Sequence, residues 1–108
     1  HPSGRLLLSR EPYRINMAEV LKAASELGVI IEINANPHRL DLDWRYCKSA
    51  KEEGCRFAIS PDAHSIEGLD DMRYGINTAR KGWLEKGDII NTLPAEAVRD
   101  GIKRRGRG

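Results

Sequence analysis

Two side chains of types that often bind metal ions follow a short apolar segment in the middle of the chain. The segment Arg56 to Ser60 (RFAIS) is followed by Asp62 and His64, one residue apart. Oxygen and imidazole ligands together suit zinc, manganese or iron. From residue types alone, a helix cap beside a surface histidine explains the pair slightly better. The position just past a strand end moves the interpretation towards a metal site.

A second candidate stands at the start of the chain, in HPSGR. Pro2 and Gly4 favour a turn that can hold His1 and Arg5 on one loop. Histidine offers a neutral nitrogen ligand, and arginine offers a planar fork for phosphate. The alternative is a disordered terminus.

A third candidate lies in EINANPHRLDLDW, where polar residues gather at a predicted strand end. Asn34 is able to orient a ligand or a water. Glu32, if it points into an interior, needs a partner because an unpaired buried carboxylate is costly. His38 is interpreted as a loop histidine outside the site. Arg39 contacts phosphate or pairs with a nearby aspartate (Asp41 or Asp43), and the two interpretations weigh equally.

Helices and strands alternate in the pattern that must position these residues. The predicted elements are a helix over 17–27 between an Asn16 cap and Gly28, a strand over 29–33, a helix capped by Asp41 or Asp43 and running to 53, a strand over 56–60, a helix from a Ser65 cap to about 80, and one or two short helices after it. This order is typical of a parallel α/β sheet or barrel.

The alternation of side chains along each strand predicts one apolar and one polar face. Ile31 and Ile33 share a face, and Glu32 and Asn34 share the other. Asp62 joins the polar face of the second strand if the backbone stays extended. Ligands of α/β folds bind at the carboxyl ends of the strands, where these polar residues lie.

Composition sets broad limits on the class of protein. The chain has 108 residues, 40% of them hydrophobic and 31% charged, which is ordinary for one soluble domain. Two cysteines without CxxC spacing predict reduced thiols and a cytoplasmic location. The absence of an initiating Met leads us to expect a fragment or processed chain. The basic segment 103–108 (KRRGRG) is predicted to be a disordered tail.

Other kinds of site find no support in the sequence. GxGxxG, Walker and GxSxG motifs are absent, so nucleotide cradles and covalent catalysis are not indicated. Trp44, Tyr74 and Trp83 are interpreted as core or helix-packing residues rather than base-stacking platforms.

Taken as a set, HPSGRLLLSREPY, EINANPHRLDLDW, ISPDAHS, MRYGINTARKGWL and NTLP resemble the C-terminal part of the PHP (polymerase and histidinol phosphatase) domain. The resemblance is nearest to the version attached to bacterial and archaeal family X DNA polymerases. It assigns residues 1–102 to a partial PHP domain, the last part of a distorted seven-stranded β/α barrel. Pro61 stands where the polymerase-associated version has Thr, which alters the loop without removing a ligand.

The resemblance implies metal ligands and a reaction. His1 matches the ligand of the HP motif, and Asp62 and His64 match the final ligand pair of a multi-metal centre that takes zinc, manganese or iron. About three of nine ligands are then present. The implied activity is hydrolysis of DNA phosphodiesters at 3′ ends by metal-activated water. Arg5 and Arg39 would hold the substrate phosphate, with Asn34 and Glu32 supporting the ligands.

Several alternatives stay open under this resemblance. One is a small-molecule phosphatase of histidinol-phosphatase type, and another is a structural PHP module without catalysis. The expected partners are DNA, a polymerase module and the missing half of the barrel, with no membrane involved. The chain by itself is expected to be inactive and to self-associate through unpaired strand edges.

Overall fold

The fold was analysed in a computed structural model that describes residues 1–7, 16–96 and 99. Along these residues run helix α1 (Met17–Leu27), strand β1 (Ile31–Asn34), helix α2 (Trp44–Glu52), strand β2 (Phe57–Ser60) and helix α3 (Met72–Lys81), with 3₁₀ turns at Glu67–Asp71, Lys86–Asp88 and Ile90–Thr92. In the described part of the chain, no helix has the length and apolarity needed to span a bilayer. The predicted basic tail and the end of the last predicted helix lie outside the described residues.

Helix α1 begins and ends where the sequence predicts. The side chain of Asn16 accepts a hydrogen bond from Glu19 N at 3.3 Å, and Gly28 ends the helix with a φ of 68°. The next residue, Val29, donates its N–H to Ala24 O at 2.8 Å. This bond ties Val29 to the helix end, which explains why β1 starts at Ile31 rather than at the predicted Val29.

The two strands form a parallel sheet of order β1–β2, in which Ile31 pairs with Phe57 and Ile33 with Ile59. The predicted alternation is confirmed, since these four apolar side chains are buried. Helix α3 packs on this face at Gly75, where an added Cβ would lie 2.5 Å from Ile59 Cγ2. Glycine weakens a helix interior, but the close approach of α3 to the sheet requires it at position 75.

Part of each outer sheet edge is covered. Asp41 forms an antiparallel bridge with Asn34 beside β1. On the far side of β2, the Asn91 amide accepts from Ile59 N at 2.8 Å and donates to Ile59 O at 3.0 Å, in the place of a strand. The expected self-association rested on open edges, so its physical basis is smaller than the sequence suggests. The oligomeric state itself stays a prediction.

Two other expectations need correction. The third helix was predicted to start at a Ser65 cap, and Ser65 Oγ does accept from Gly68 N at 3.2 Å, but a 3₁₀ turn follows and α3 starts only at Met72. Trp44 and Trp83 were expected to be core or helix-packing residues, and their exposures of 38% and 72% exclude a place in the core. The mixture of helices with a small parallel sheet agrees with an α/β fold, and its membership of a barrel stays a prediction.

Candidate metal and phosphate site

His1 and Asp62 are far apart in the sequence but lie next to each other in the structure. His1 Nε2 is 3.7 Å from Asp62 Oδ2. Asp62 comes two residues after β2, and His1 lies beside β1 through its contact with Asn34. The pair therefore stands at the carboxyl ends of both strands, where the sequence places a site.

The buried carboxylate of Asp41 fixes the turn that carries His1. Both of its oxygens accept from Ser3 N at 3.0 Å, Oδ1 accepts from Ser3 Oγ at 2.8 Å, and Oδ2 accepts from Gly4 N at 2.9 Å. Asp41 is fully buried, at 0% exposure. A negative charge without solvent needs such donors, so the opening segment is held as an ordered part of the fold.

Arg5 ties the opening segment to the loop before α2. Its Nη1 donates to Asp43 Oδ2 at 2.8 Å, its Nε donates to Arg39 O at 2.8 Å, and its Nη2 donates to Leu40 O. The side chain is 16% exposed. All three guanidinium nitrogens thus have protein acceptors, which makes Arg5 a positioning residue in this arrangement. Its predicted contact with substrate phosphate stays a prediction.

Asp43 is the common acceptor of two arginines and the N-cap of α2. Its carboxylate accepts from Arg45 N at 2.9 Å as a cap and from Arg45 Nη2 at 2.7 Å. These hydrogen bonds, with the charge of Arg5, outweigh burial and lower the pKa of Asp43 to about 2. Asp43 therefore stays ionised across the physiological range and holds both guanidinium groups in place.

The two polar residues of β1 both contact His1. The backbone nitrogen of His1 lies 2.5 Å from Glu32 Oε1, and Asn34 Nδ2 lies 3.0 Å from His1 Nδ1. Asn34 Oδ1 already accepts from Asn36 N at 3.0 Å, so its amide NH₂ is the group that faces His1. Nδ1 of His1 is then the acceptor, and the ring proton sits on Nε2, towards Asp62.

Metal binding through His1 Nε2 would require a different arrangement of protons. Nε2 must be free of its proton to act as a ligand, so Nδ1 must carry it and find an acceptor. The oxygen of Asn34 would serve if the amide turned over. That rotation would end its hydrogen bond from Asn36 N. Asn34 therefore sets which tautomer His1 adopts.

The backbone turns at Asp62, between the end of β2 and His64. Asp62 has a φ of 53°, so extension ends at Ser60 and the expected continuation is wrong. His64 Nδ1 lies 2.9 Å from the backbone O of Asp62. A backbone carbonyl on one ring nitrogen is the usual partner of a histidine that binds metal through the other, and His64 Nε2 is that other nitrogen.

Arg39 is the cation nearest to the His1–Asp62 pair among the described ion pairs. Its Nε is 3.9 Å from Asp62 Oδ2, and its Nη1 donates to Arg5 O at 3.4 Å. The contact with Asp62 is long, so the guanidinium has room to bind another anion. Arg39 was predicted either to contact phosphate or to pair with Asp41 or Asp43. The carboxylate it pairs with is that of Asp62. His38 is exposed on the neighbouring turn.

The donor geometry fits part of a metal site. Two ligands about 2.0–2.2 Å from one ion in tetrahedral geometry lie roughly 3.3–3.6 Å apart, and the His1–Asp62 separation of 3.7 Å is close to that span. No group of three or more His, Cys, Asp or Glu side chains able to hold an ion occurs within residues 1–7, 16–96 and 99. His64 would have to turn towards Asp62 to supply a third donor, and its exposure permits this.

Asp41 and Ser3 are the functional-site residues that the sequence analysis missed. Asp41 was considered only as a helix cap or an arginine partner, and Ser3 was not considered. The signal available was weak: a turn with two adjacent N–H groups needs an anion, but the sequence does not say which of the later aspartates provides it.

The sequence of the chain is similar to part of a bacterial DNA polymerase. No protein-family model matches the chain. The chain is 40% identical over 104 residues, or 96% of its length, to the DNA polymerase/3′-5′ exonuclease PolX of Bacillus subtilis (strain 168). It spans only 18% of that protein. The identity supports a region of sequence related to PolX.

Proposed function

We propose that this chain is part of a metal-dependent phosphoesterase (PHP) domain that hydrolyses DNA phosphodiesters at 3′ ends beside a polymerase module. The convergence of His1 and Asp62 at 3.7 Å carries the proposal. These residues are 61 positions apart in sequence. The hydrogen bonds from Ser3 and Gly4 to the Asp41 carboxylate, which we call the Asp41 clamp, hold His1 beside Asp62. The relation to a polymerase with 3′-5′ exonuclease supports DNA as the substrate class.

In this proposal His1, Asp62 and His64 hold one edge of a divalent-metal site. The ion is zinc, manganese or iron, and when bound it polarises the phosphate and lowers the pKa of a water. The 3.7 Å between His1 Nε2 and Asp62 Oδ2 supports this, since it is close to the separation of two ligands on one ion. The remaining ligands come from elsewhere in the parent protein, so the chain by itself is expected to be inactive.

The other residues position the ligands and the substrate. Asn34 orients the His1 ring, and Glu32 contacts the backbone nitrogen of the same residue. Arg39 is the better candidate for the substrate phosphate, because its only carboxylate contact in the described chain is long, at 3.9 Å. Arg5 acts through the loop that carries Arg39, since it binds Arg39 O at 2.8 Å.

The experiment compares Asp62→Asn with Asp70→Asn in the parent polymerase. A 5′-labelled single-stranded oligonucleotide and manganese report exonuclease activity, and primer extension reports nucleotide transfer. Asp62→Asn should lower exonuclease activity by about 100-fold or more, because loss of a mere partner of a metal ligand already costs roughly 10- to 100-fold, and it should leave extension unchanged. Asp70 is exposed on the 3₁₀ turn, so its variant should retain both activities. Exonuclease that persists in Asp62→Asn would contradict the proposal.

A structural module without catalysis is the second candidate. It is favoured by the lack of a three-residue ligand group within the described residues. Metal analysis of the parent protein separates the two functions: bound zinc or manganese that Asp62→Asn removes supports the esterase, and a metal-free parent supports the structural module. Hydrolysis of histidinol phosphate in place of DNA would indicate the small-molecule phosphatase instead.

A further inference from the structure

Both tryptophans of the chain lie on one surface, where the start of α2 meets the end of α3. The chain contains two tryptophans, Trp44 and Trp83, and they are 38% and 72% exposed. Between them, Gly82 is so close to α2 that an added Cβ would lie 2.9 Å from Trp44 O and 2.5 Å from Cys47 Cβ. The backbone segments that carry the two indoles are therefore in direct contact.

Each indole carries a lysine from the other element. Lys81 Nζ lies 4.6 Å from the ring centroid of Trp44, and Lys48 Nζ lies 5.9 Å from that of Trp83. We call these four residues the tryptophan–lysine surface. Among the described residues, neither lysine makes an ion pair with a carboxylate, whereas Lys51 on the same helix binds Asp88 at 3.1 Å. Within the described part of the chain, the surface thus presents two ammonium groups that have no ion-pair partner.

The backbone at Trp83 suggests that the indole is kept for a reason other than stability. Trp83 has a φ of 68° at the end of α3. Glycine or asparagine normally fills such a left-handed position, and a bulky side chain there is strained. An indole left 72% exposed gains little from burial in return. Strain of this kind is a pointer to a binding role.

We propose that the tryptophan–lysine surface binds single-stranded nucleic acid, with bases stacked on the indoles and phosphates held by the lysines. Stacking of a base on an aromatic side chain is worth roughly two to three times an exposed cation–π contact. A base would therefore displace the lysine from the ring, and the freed ammonium would lie beside the phosphate backbone. A single strand supplies both the planar bases for the indoles and the negative phosphates for the lysines.

The tryptophan–lysine surface contains none of the candidate metal ligands, but a short stretch of chain connects it to the candidate site. Trp44 directly follows Asp43, whose carboxylate holds Arg5 at 2.8 Å. A strand bound across the surface would have one end near the loop that carries Arg39. This binding goes beyond the proposed hydrolysis and needs no metal. It is therefore measured in EDTA, where failure of the proposed catalysis does not change the binding result.

Tryptophan fluorescence provides the test, because both tryptophans of the chain lie in the proposed site. A 12-nucleotide oligothymidylate is titrated into the 108-residue chain in EDTA at low salt. Stacking should quench the emission. Trp83→Ala should weaken binding about 5- to 150-fold, the range for loss of one stacked base, and Trp83→Phe should retain most of the affinity. Lys48→Ala should reduce the salt slope by about 0.7.

Arg73→Ala is the matched control. Arg73 also stacks on an aromatic ring, with its guanidinium carbon 4.8 Å from the Tyr74 centroid, but it lies at the other end of α3. Its variant should bind like the parent chain. Equal affinity for heparin, which has charge but no bases, or unchanged binding in Trp83→Ala would overturn the proposal. Tight binding of a protein partner without quenching by the oligonucleotide would overturn it as well.

Discussion

The carboxylate of Asp41 holds the backbone N–H and the hydroxyl of Ser3 across 38 positions of sequence, at 3.0 and 2.8 Å. Because His1 lies two residues before Ser3, this contact also places the imidazole beside Asp62. Asp41 is part of the antiparallel bridge to Asn34 as well. One buried acid thus connects the start of the chain, the edge of β1 and the candidate metal site.

Replacing Asp41 with Asn should destabilise the chain and release His1. Both carboxylate oxygens of Asp41 accept hydrogen bonds from Ser3 and Gly4. The NH₂ group of asparagine cannot accept one, so the variant leaves buried N–H groups unpaired, at a cost of about 1–3 kcal/mol. Urea unfolding followed by circular dichroism measures the loss. The exposed Asp70→Asn is the control and should change stability by less than about 0.5 kcal/mol. Equal stability of the two variants would show that the clamp does not hold the opening segment.

Gly75→Ala should lower the free energy of unfolding by about 1–3 kcal/mol, the usual cost of overpacking. A methyl group there would lie 2.5 Å from Ile59 Cγ2 and 2.7 Å from Ala35 Cβ. Gly87→Ala is the matched control, since nothing lies within 4 Å of its added Cβ. A Gly75→Ala protein as stable as the control would mean that α3 does not pack on the sheet as described.

Asp43 should make stability depend on acid pH. Its pKa falls from 3.8 to about 2 on folding, so its contribution is complete above pH 3.8 and disappears as the pH falls through 2. At pH 7, Asp43→Asn should cost between about 1 and 2 kcal/mol, because exposed Arg45 is partly screened by water. Urea unfolding at pH 7 and pH 2.5 should show this difference shrinking. A difference that grows towards low pH would contradict the assignment.

The two cysteines should be unreactive in the folded chain. Burial, helped by the charge of Asp43, raises the pKa of the Cys47 thiol to about 12. Burial also raises the pKa of the Cys55 thiol. Iodoacetamide at pH 8 should label neither residue in the native protein and both in guanidinium, as measured by mass spectrometry. Rapid native labelling of Cys47 would show that its site opens without global unfolding.

Local signals predicted the helices and strands of this fold, and long-range contacts determined how the other segments are held against them. Asn16, Gly28 and Asp43 act on adjacent backbone, so their caps could be predicted from sequence. The partner of Ser3 and the role of Asn91 as a substitute strand depend on residues about 30–40 positions away, which no local pattern contains. The predicted meeting of His1 with Asp62 came from family resemblance rather than from spacing.

The left-handed backbone of Asp62 shows why the site was only partly predictable. Period-two alternation assumes that extension continues past Ser60, and a φ of 53° ends it. Aspartate tolerates this conformation better than most residues. Residue types and family resemblance therefore identified the ligand candidates, but not the turn of the backbone at Asp62.

The central claim, that His1, Asp62 and His64 share a metal ion, is tested most directly by titrating Zn²⁺ into the chain and following its three imidazoles by NMR. The account predicts that the ring nitrogen signals of His1 and His64 shift together through Nε2, that His38 does not change, and that Asp62→Asn abolishes the shifts. Shifts confined to His38, or equal in all three histidines and indifferent to Asp62→Asn, would contradict it.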